Sequence, residues 1–525
     1  MDDPSLELAI AGDGDDPVPD ALQVLEEQFD VEIGGPTTIQ RMWLDTFDWR
    51  LQRAGLVLAQ SRAAKDCRLT LSAAEGERLT CQIGPVDWPG FVDRLPASAL
   101  RDRVGSVAGI RALLPTAEAT SVVREVQVRN ADIKTVTRIV LDRPVDRRSQ
   151  FGKPVAHLSI RPVRGYRAQS ERVATLLSTA PGVTTGAPSI YEWALLAAGR
   201  TPHDKASDAR LMLSPAMSGA SAIATVLETF LIAMEANVSG VVTDIDTEFL
   251  HDFRVAVRRT RATLKLTGDV LPDELAERFA VEFKWLGDLT TPTRDLDVFL
   301  LGFREMAGSL QAADAAELEP LHGHLVRRRS QEFRRLVRGL RSRRFERLIS
   351  AWRSGLADVI AAESSMPEPV PTIGITAADL ARKRVWRTYR RVVKHGSAIT
   401  ADSPAEQLHT LRKRCKELRY LLEIFSSLQD RSAHRRMLRE LKALQDCLGD
   451  FQDGSVQREA IETFAAEMMV AGFVPAETVL AMGELSVRVD ESQRRARSEF
   501  ADRFAHFTSA KNRKAAEQLM ATTAA

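Results

Sequence analysis

The chain has 525 residues, of which 44% are hydrophobic and 27% charged, with a formal net charge of +1 and four cysteines. That length bounds it at about three domains, with enough apolar material for sizeable cores. It holds no run of 18 or more apolar residues, no basic-then-apolar leader, and no CxxC pairing among Cys67, Cys81, Cys415 and Cys447. No membrane span, signal peptide or disulfide framework is therefore expected, and the expected setting is a reducing cytoplasm.

The near-neutral total conceals uneven blocks. Residues 1–40 carry eleven acids and no Lys or Arg, whereas Arg327–Arg347 carries ten arginines in 21 positions. Arg382–Lys394 holds seven basic residues in 13 and no acid. Such blocks predict a polarised molecule with a localised basic surface.

Residues 1–200 read as strands with some helix. Short β-rich runs recur at 122–128, 135–141 and 157–163, and 68–83 reads as a hairpin turning near Gly76. Residues 201–218 read as a linker, with Pro202 and Ser214-Pro215 as breakers. From about 219 the apolar spacing becomes helical, through Ile223, Val226, Leu227, Phe230, Leu231 and Met234. A Pro-rich break at 366–372 divides the helical region into halves of about 219–365 and 376–510. Residues 511–525 read as a frayed tail.

Within the helical region one pattern occurs twice. His251, Arg254, Arg258 and Arg261 recur as His409, Arg412, Lys416 and Arg419, each 158 residues later, and Lys284 recurs as Lys442. Offsets of 0, 3, 7 and 10 fall within roughly an 80° arc of a helix, so each set is a cationic stripe. Like charges stacked on a helix cost about 0.2–0.5 kcal/mol per pair, so a stripe built twice implies an anion against it. Guanidinium groups match phosphate oxygens bidentately, and a histidine in the row adds a donor that charges below about pH 6.5. Arg259, Lys265 and Lys413 flank the stripes. Two further basic faces are Arg334 with Arg338, in a helix read as running from Arg327 to Arg347, and Arg384, Arg387 and Arg391. The run Arg294-Asp295-Leu296-Asp297 after Pro292 reads either as a metal-binding acid pair or, preferentially, as the first turn of a helix capped by Thr293, with its acids tying down nearby arginines.

The stretch His251-Asp-Phe-Arg254-Val-Ala-Val-Arg258-Arg259-x-Arg261, with Lys284-Trp285-Leu286, Arg294-Asp295-x-Asp297 and the second-half run from His409 to Tyr420, resembles the CHAD family. The resemblance covers about 216–510. It implies an all-α domain of two pseudo-symmetric helical bundles with a basic groove, inorganic polyphosphate as ligand, and association with polyphosphate granules. The implied binding set is the two stripes with Lys284 and Lys442.

Residues 1–200 resemble a CYTH domain, an antiparallel β tunnel, through Trp43-Leu44-Asp45-Thr46-Phe47-Asp48-Trp49-Arg50, Arg53-Ala54-Gly55-Leu56 and Arg164-Gly165-Tyr166. The resemblance also implies a Glu-x-Glu-x-Lys metal and triphosphate strand, where this chain has Glu7-Leu8-Ala9-Ile10-Ala11. Ala59 stands where an arginine belongs, and His157-Leu158-Ser159 where paired acids belong. The whole is thus read as an α+β chain in two parts that binds polyphosphate without catalysis, with no catalytic residue, metal or cofactor and no membrane. The alternatives are a triphosphatase using the remaining acids Glu7, Asp45, Glu125 and Asp142, and nucleic-acid binding by the basic helices, for which Tyr420 is the only aromatic near a stripe suited to base stacking.

Overall fold

The computed structural model describes residues 6–10, 18–64, 66–73, 76–84, 86–145, 155–202, 212–364, 375–472 and 474–520. The chain divides into two units, Met1–Lys205 and Ala206–Ala525. The Pro-rich break, half of the linker and part of the acidic N-terminal stretch lie outside the described residues.

The first unit is built on strands β1 (Leu6–Ile10), β2 (Asp30–Ile33), β3 (Thr37–Thr46), β4 (Leu56–Ala63), β5 (Asp66–Ala73), β6 (Arg78–Gln82), β7 (Leu113–Arg129), β8 (Thr135–Pro144), β9 (Ala156–Pro162) and β10 (Val183–Thr184). Their order is β10-β1-β9-β8-β7-β3-β4-β5-β6, with β2 on β7, and the pairings among the described residues are antiparallel. The period of two decides what each face meets. In β9, Ala156, Leu158 and Ile160 are buried, while His157, Ser159 and Arg161 alternate with them. Helices α1 (Val18–Glu26) and α4 (Arg167–Ser178) cover that apolar face through Leu22, Leu25, Val173 and Leu177. Helices α2 (Arg50–Arg53) and α3 (Ala99–Ala108) pack Leu51, Leu100 and Val104 over β4 and β5, and α5 (Ile190–Ala197) packs against β7. The β5–β6 hairpin uses Gly76 at φ +88°, a conformation that disfavours a side chain.

The second unit is helical: α6 (Gly219–Val242), α7 (Thr247–Thr267), α8 (Asp273–Gly308), α9 (Glu319–Leu340), α10 (Arg343–Ser364), α11 (Ala377–Gly396), α12 (Ala405–Ile424), α13 (Arg431–Val470), α14 (Ala476–Phe507) and α15 (Ala510–Gln518). Its repeat is explicit in the element boundaries. α6 and α11 start 158 residues apart (219 to 377), as do α7 and α12 (247 to 405) and α8 and α13 (273 to 431). The short 3-10 turns ahead of α8 and α13 start at 268 and 426, again 158 apart. The Gly219 amide donates to the Ile375 carbonyl at 2.8 Å, and the Ala377 amide donates to Met217 at 2.9 Å. Adding 158 to one bond yields the other with the partners exchanged, which is the mark of an approximate two-fold axis between the halves.

Helix α6 is long and apolar enough to cross a membrane by length and composition, and half of that stretch is buried within the unit. Glu228 and Glu235 interrupt it in sequence, so counting apolar runs misses it. It packs against α7 and α10 as a core helix.

Three sequence expectations change. Thr293 does not cap a helix: α8 runs unbroken through Pro292, and Thr293 is buried inside it. The proline lacks an amide and crowds the preceding turn. There the hydroxyls of Thr290 and Thr291 donate to the Gly287 carbonyl at 3.1 and 2.7 Å, giving the turn side-chain bonds of its own. The basic run 327–347 is two helices, because Arg341 ends α9 and Ser342 donates its hydroxyl to the Gly339 carbonyl. Residues 511–518 are helical rather than frayed, with Asn512, Ala515 and Ala516 buried.

Candidate anion-binding site

Helices α7 and α8 form a hairpin whose facing rows share one spacing. On α8, Lys284, Gly287, Thr291 and Arg294 stand at offsets 0, 3, 7 and 10, the same as the stripe on α7. Arg254 donates from Nη1 to Thr291 Oγ1 at 2.7 Å and Thr290 Oγ1 at 3.2 Å. Arg261 lies over Gly287, where a Cβ would meet its Nη1 at 2.5 Å. His251 stands beside Arg294, which, after burial itself, holds the imidazole below its ordinary range. Glu248 and Asp252 oppose that effect.

The second half repeats these cross-helix pairings. On α13 the equivalent row is Lys442, Gln445, Gly449 and Gln452. Arg419 reaches Gln445 Oε1 at 3.5 Å, matching Arg261 over Gly287. His409 Nδ1 lies 2.5 Å from Gln452 Oε1, matching His251 beside Arg294. The repeat therefore extends from residue types to their neighbours.

Helices α7 and α12 pack on each other across the approximate two-fold. Arg259 pairs with Glu423 at 2.9 Å, and Lys265 with Glu417 at 2.8 Å. Residue 259 maps to 417 and residue 265 to 423, so the two bridges are the same contact seen from opposite ends. α7 supplies both cations and α12 both acids. Glu423 also accepts from Arg419 at 2.7 Å, and Glu417 from Arg414 at 2.8 Å. Lys265 and Arg414 hold the Glu417 carboxyl below its usual range against the opposing effect of burial.

The cations crowd one another. Burial lowers the Arg254 guanidinium from its ordinary range; Asp295 opposes this, while Arg258, Arg294 and Arg261 add to it. Asp295 is raised by burial despite Arg254 and Arg294. Arg258, Arg261, Lys284, Lys413, Lys416 and Lys442 are exposed, and His251, Arg254, His409 and Arg412 are half-buried. Among the described residues, Arg258, Arg261, Lys284, Lys413 and Lys442 have no carboxylate within ion-pair distance. An arginine stays charged under such lowering, so like-charge repulsion persists until an anion relieves it.

The other sequence candidates lie elsewhere. Arg334 and Arg338 line a concavity of about 650 Å³ with Val242, Gln331, Phe333 and Val337, and no stripe residue borders it. Arg384 and Arg387 line a separate cavity, and Arg384 is ion-paired with Asp269. Arg391 is exposed on α11.

Of the two readings of the Asp295 and Asp297 pair, tying down arginines fits: Asp297 takes Arg329 Nε at 2.6 Å, and Arg329 also binds Asp244. No cluster of three or more His, Cys, Asp or Glu suited to a metal occurs among the described residues. In the first unit three of the four remaining acids are engaged. Asp142 pairs with Arg41 at 2.5 Å and Glu125 with Arg138 at 3.6 Å. Asp45 accepts the amides of Thr46, Leu51 and Gln52, and burial pushes its carboxyl up to about 6. Glu7 on β1 is exposed opposite Ser159.

Sequence reasoning missed Thr290, Thr291, Gln452, Glu417 and Glu423. Gln452 was findable, because it stands 158 residues after Arg294. The two glutamates stand 158 residues after Arg259 and Lys265 with the opposite charge, so the same shift marks their positions, but their pairing with α7 shows only in the fold.

The CHAD domain family model matches residues 225–462. An uncharacterized protein of Mycobacterium tuberculosis is 28% identical over 231 residues, 42% of each chain, so this chain spans less than half of that relative's length. The crystal structure of the CHAD domain from the plant Ricinus communis is 23% identical and covers 60% of this chain and 96% of that one, with a TM-score of 0.44. A Hippeastrum adenylyl cyclase with a dominant triphosphatase activity is 16% identical over 38% of this chain and 96% of that one, with a TM-score of 0.26. Residues 225–462 of this chain are a CHAD domain.

Proposed function

We propose that this chain binds inorganic polyphosphate, without turning it over, along the paired stripes of α7 and α12, and that this binding carries it to polyphosphate granules in the cytoplasm. CHAD domains are associated with polyphosphate binding. The observation that carries the reading is the repeated hairpin. Arg254, Arg258, Arg261 and Lys284 on one side and Arg412, Lys416, Arg419 and Lys442 on the other occupy equivalent places about one approximate two-fold. A linear polyanion offers phosphates at regular intervals to both rows. The side chains available are those that recognise phosphate: guanidinium forks, ammonium groups and imidazole.

The test is a titration of the full chain with long-chain polyphosphate at several salt concentrations. By analogy with single-stranded nucleic acids, each neutralised phosphate adds about 0.7 to the log–log salt slope, so ten contacts give a slope of about −7. Weak binding with a flat slope sinks the reading. RNA competing as well as polyphosphate moves it to nucleic acid.

A further inference from the structure

A second cationic cluster stands apart from the stripes. Lys383, Arg384 and Arg387 on α11 line a cavity of about 410 Å³ with Asp269, Val270, Ile375 and Leu380, and no stripe residue is among its lining residues. The repeat does not supply these cations: the positions 158 residues earlier are Thr225, Val226 and Thr229. The hydroxyls of Thr225 and Thr229 donate to carbonyls of their own helix at 2.9 and 3.1 Å, so the counterpart on α6 offers no charge.

The cavity lining has two chemically different parts. Lys383 and Arg387 stand one turn apart on the same face of α11, where like charges repel, and both are exposed. Asp269, in the 3-10 turn Gly268–Val270, is the only acid among the lining residues and pairs with Arg384, whose side chain is 19% exposed. That pair holds Arg384 in place. Among the described residues, Lys383 and Arg387 have no carboxylate within ion-pair distance. The other part is aliphatic: Leu380 is buried, and Val270 and Ile375 are half-buried.

We propose that this cavity binds a nucleoside polyphosphate, with its phosphates on Lys383 and Arg387 and its base and sugar against Val270, Ile375 and Leu380. Four residues of helix span about 6 Å, a distance that a diphosphate or triphosphate bridges. The volume falls in the range of about 300–1,000 Å³ typical of small-molecule sites, which join an apolar lining to a few charged groups. Inorganic polyphosphate has no apolar part, so the aliphatic side chains add nothing to its binding, whereas a nucleotide uses both parts of the lining. The site is distinct from the paired stripes, and neither depends on the other.

The experiment titrates the full chain with ATP, adenosine and tripolyphosphate by calorimetry, in buffer containing a chelator. The titrations are repeated on a Lys383→Ala, Arg387→Ala double variant and on Arg258→Glu. Thermal melts check the fold, and Lys383→Glu reads the same loss from one exposed position. The double variant is expected to lower ATP affinity by about tenfold or more, the worth of two charge-assisted contacts. At the site that the double variant removes, ATP is expected to bind more tightly than either tripolyphosphate or adenosine. The proposal is overturned if wild type does not bind ATP, if the double variant binds it as tightly, or if tripolyphosphate matches ATP at that site. It is also overturned if Arg258→Glu weakens ATP as much as the double variant does, because the nucleotide then sits on the stripes. Long-chain polyphosphate titrated in parallel against wild type and Arg258→Glu tests the stripes separately.

Discussion

Replacing Glu423 with Gln is expected to tighten polyphosphate binding. Glu423 accepts from Arg259 at 2.9 Å and from Arg419 at 2.7 Å, so it acts as a built-in counter-anion where α7 meets α12. The three side chains are 34%, 46% and 23% exposed for Arg259, Arg419 and Glu423, so losing these bridges costs at most about 1 kcal/mol of stability. The gain in binding is of similar size. A carboxylate about 5 Å from a bound phosphate repels it by about 0.8 kcal/mol in water and about 3 kcal/mol at an effective dielectric of 20. Partial exposure favours the lower end, about 1–1.4 kcal/mol, or five- to tenfold in affinity. Two released arginines also steepen the salt slope by about 1.4. Isothermal titration at three salt concentrations reads both quantities. Unchanged or weaker binding by Glu423→Gln, with the fold intact, would refute the placing of Arg259 and Arg419 on the ligand's path.

Further outcomes follow from single contacts. Gly287→Ala is expected to raise thermal stability by about 0.5–1 kcal/mol, because alanine suits a helix interior better, yet to weaken polyphosphate binding severalfold, because the new Cβ displaces Arg261 from its bed; paired melting and titration check both directions. Arg329→Ala leaves Asp297 at 1% side-chain exposure without its partner and is expected to cost about 3–5 kcal/mol in urea unfolding, with Asp297→Asn recovering part of the loss. Asp45 gives a pH signature: its carboxyl rises from 3.8 unfolded to about 6 folded, so the folded state binds the proton more tightly. The stability from that proton is complete below pH 3.8 and is lost as pH rises through 6, about 3 kcal/mol in all. The stability difference between wild type and Asp45→Asn should shift by most of that amount, about 2.4 kcal/mol, between pH 4 and pH 7, and a constant difference contradicts it.

The helical repeat was legible because spacing and charge were copied together, so a shift of 158 residues exposed both stripes and both lysines before any fold was known. The β unit was legible from short alternating runs and from Gly76. Other features depended on contacts that sequence does not express. A proline ordinarily ends a helix, and nothing in Thr290-Thr291-Pro292 announces that two hydroxyls and Arg254 support the turn it crowds. Arg327–Arg347 looked like one helix because its charge is continuous, whereas the break at Arg341 is set by Leu336 and Leu340 on one side and Phe345 and Leu348 on the other, all buried. Glu417 and Glu423 looked like ordinary helix-surface acids, and their role emerges only when α12 lies against α7.

The central claim is that two stripes serve one ligand. It is tested most directly by measuring stoichiometry and affinity together for long-chain polyphosphate binding to wild type, Arg258→Glu and Lys416→Glu. If both stripes hold one chain, each single reversal lowers the affinity of the same class of sites and leaves stoichiometry unchanged. If each stripe binds on its own, either reversal halves the stoichiometry while the remaining sites keep wild-type affinity, and that result would contradict the account.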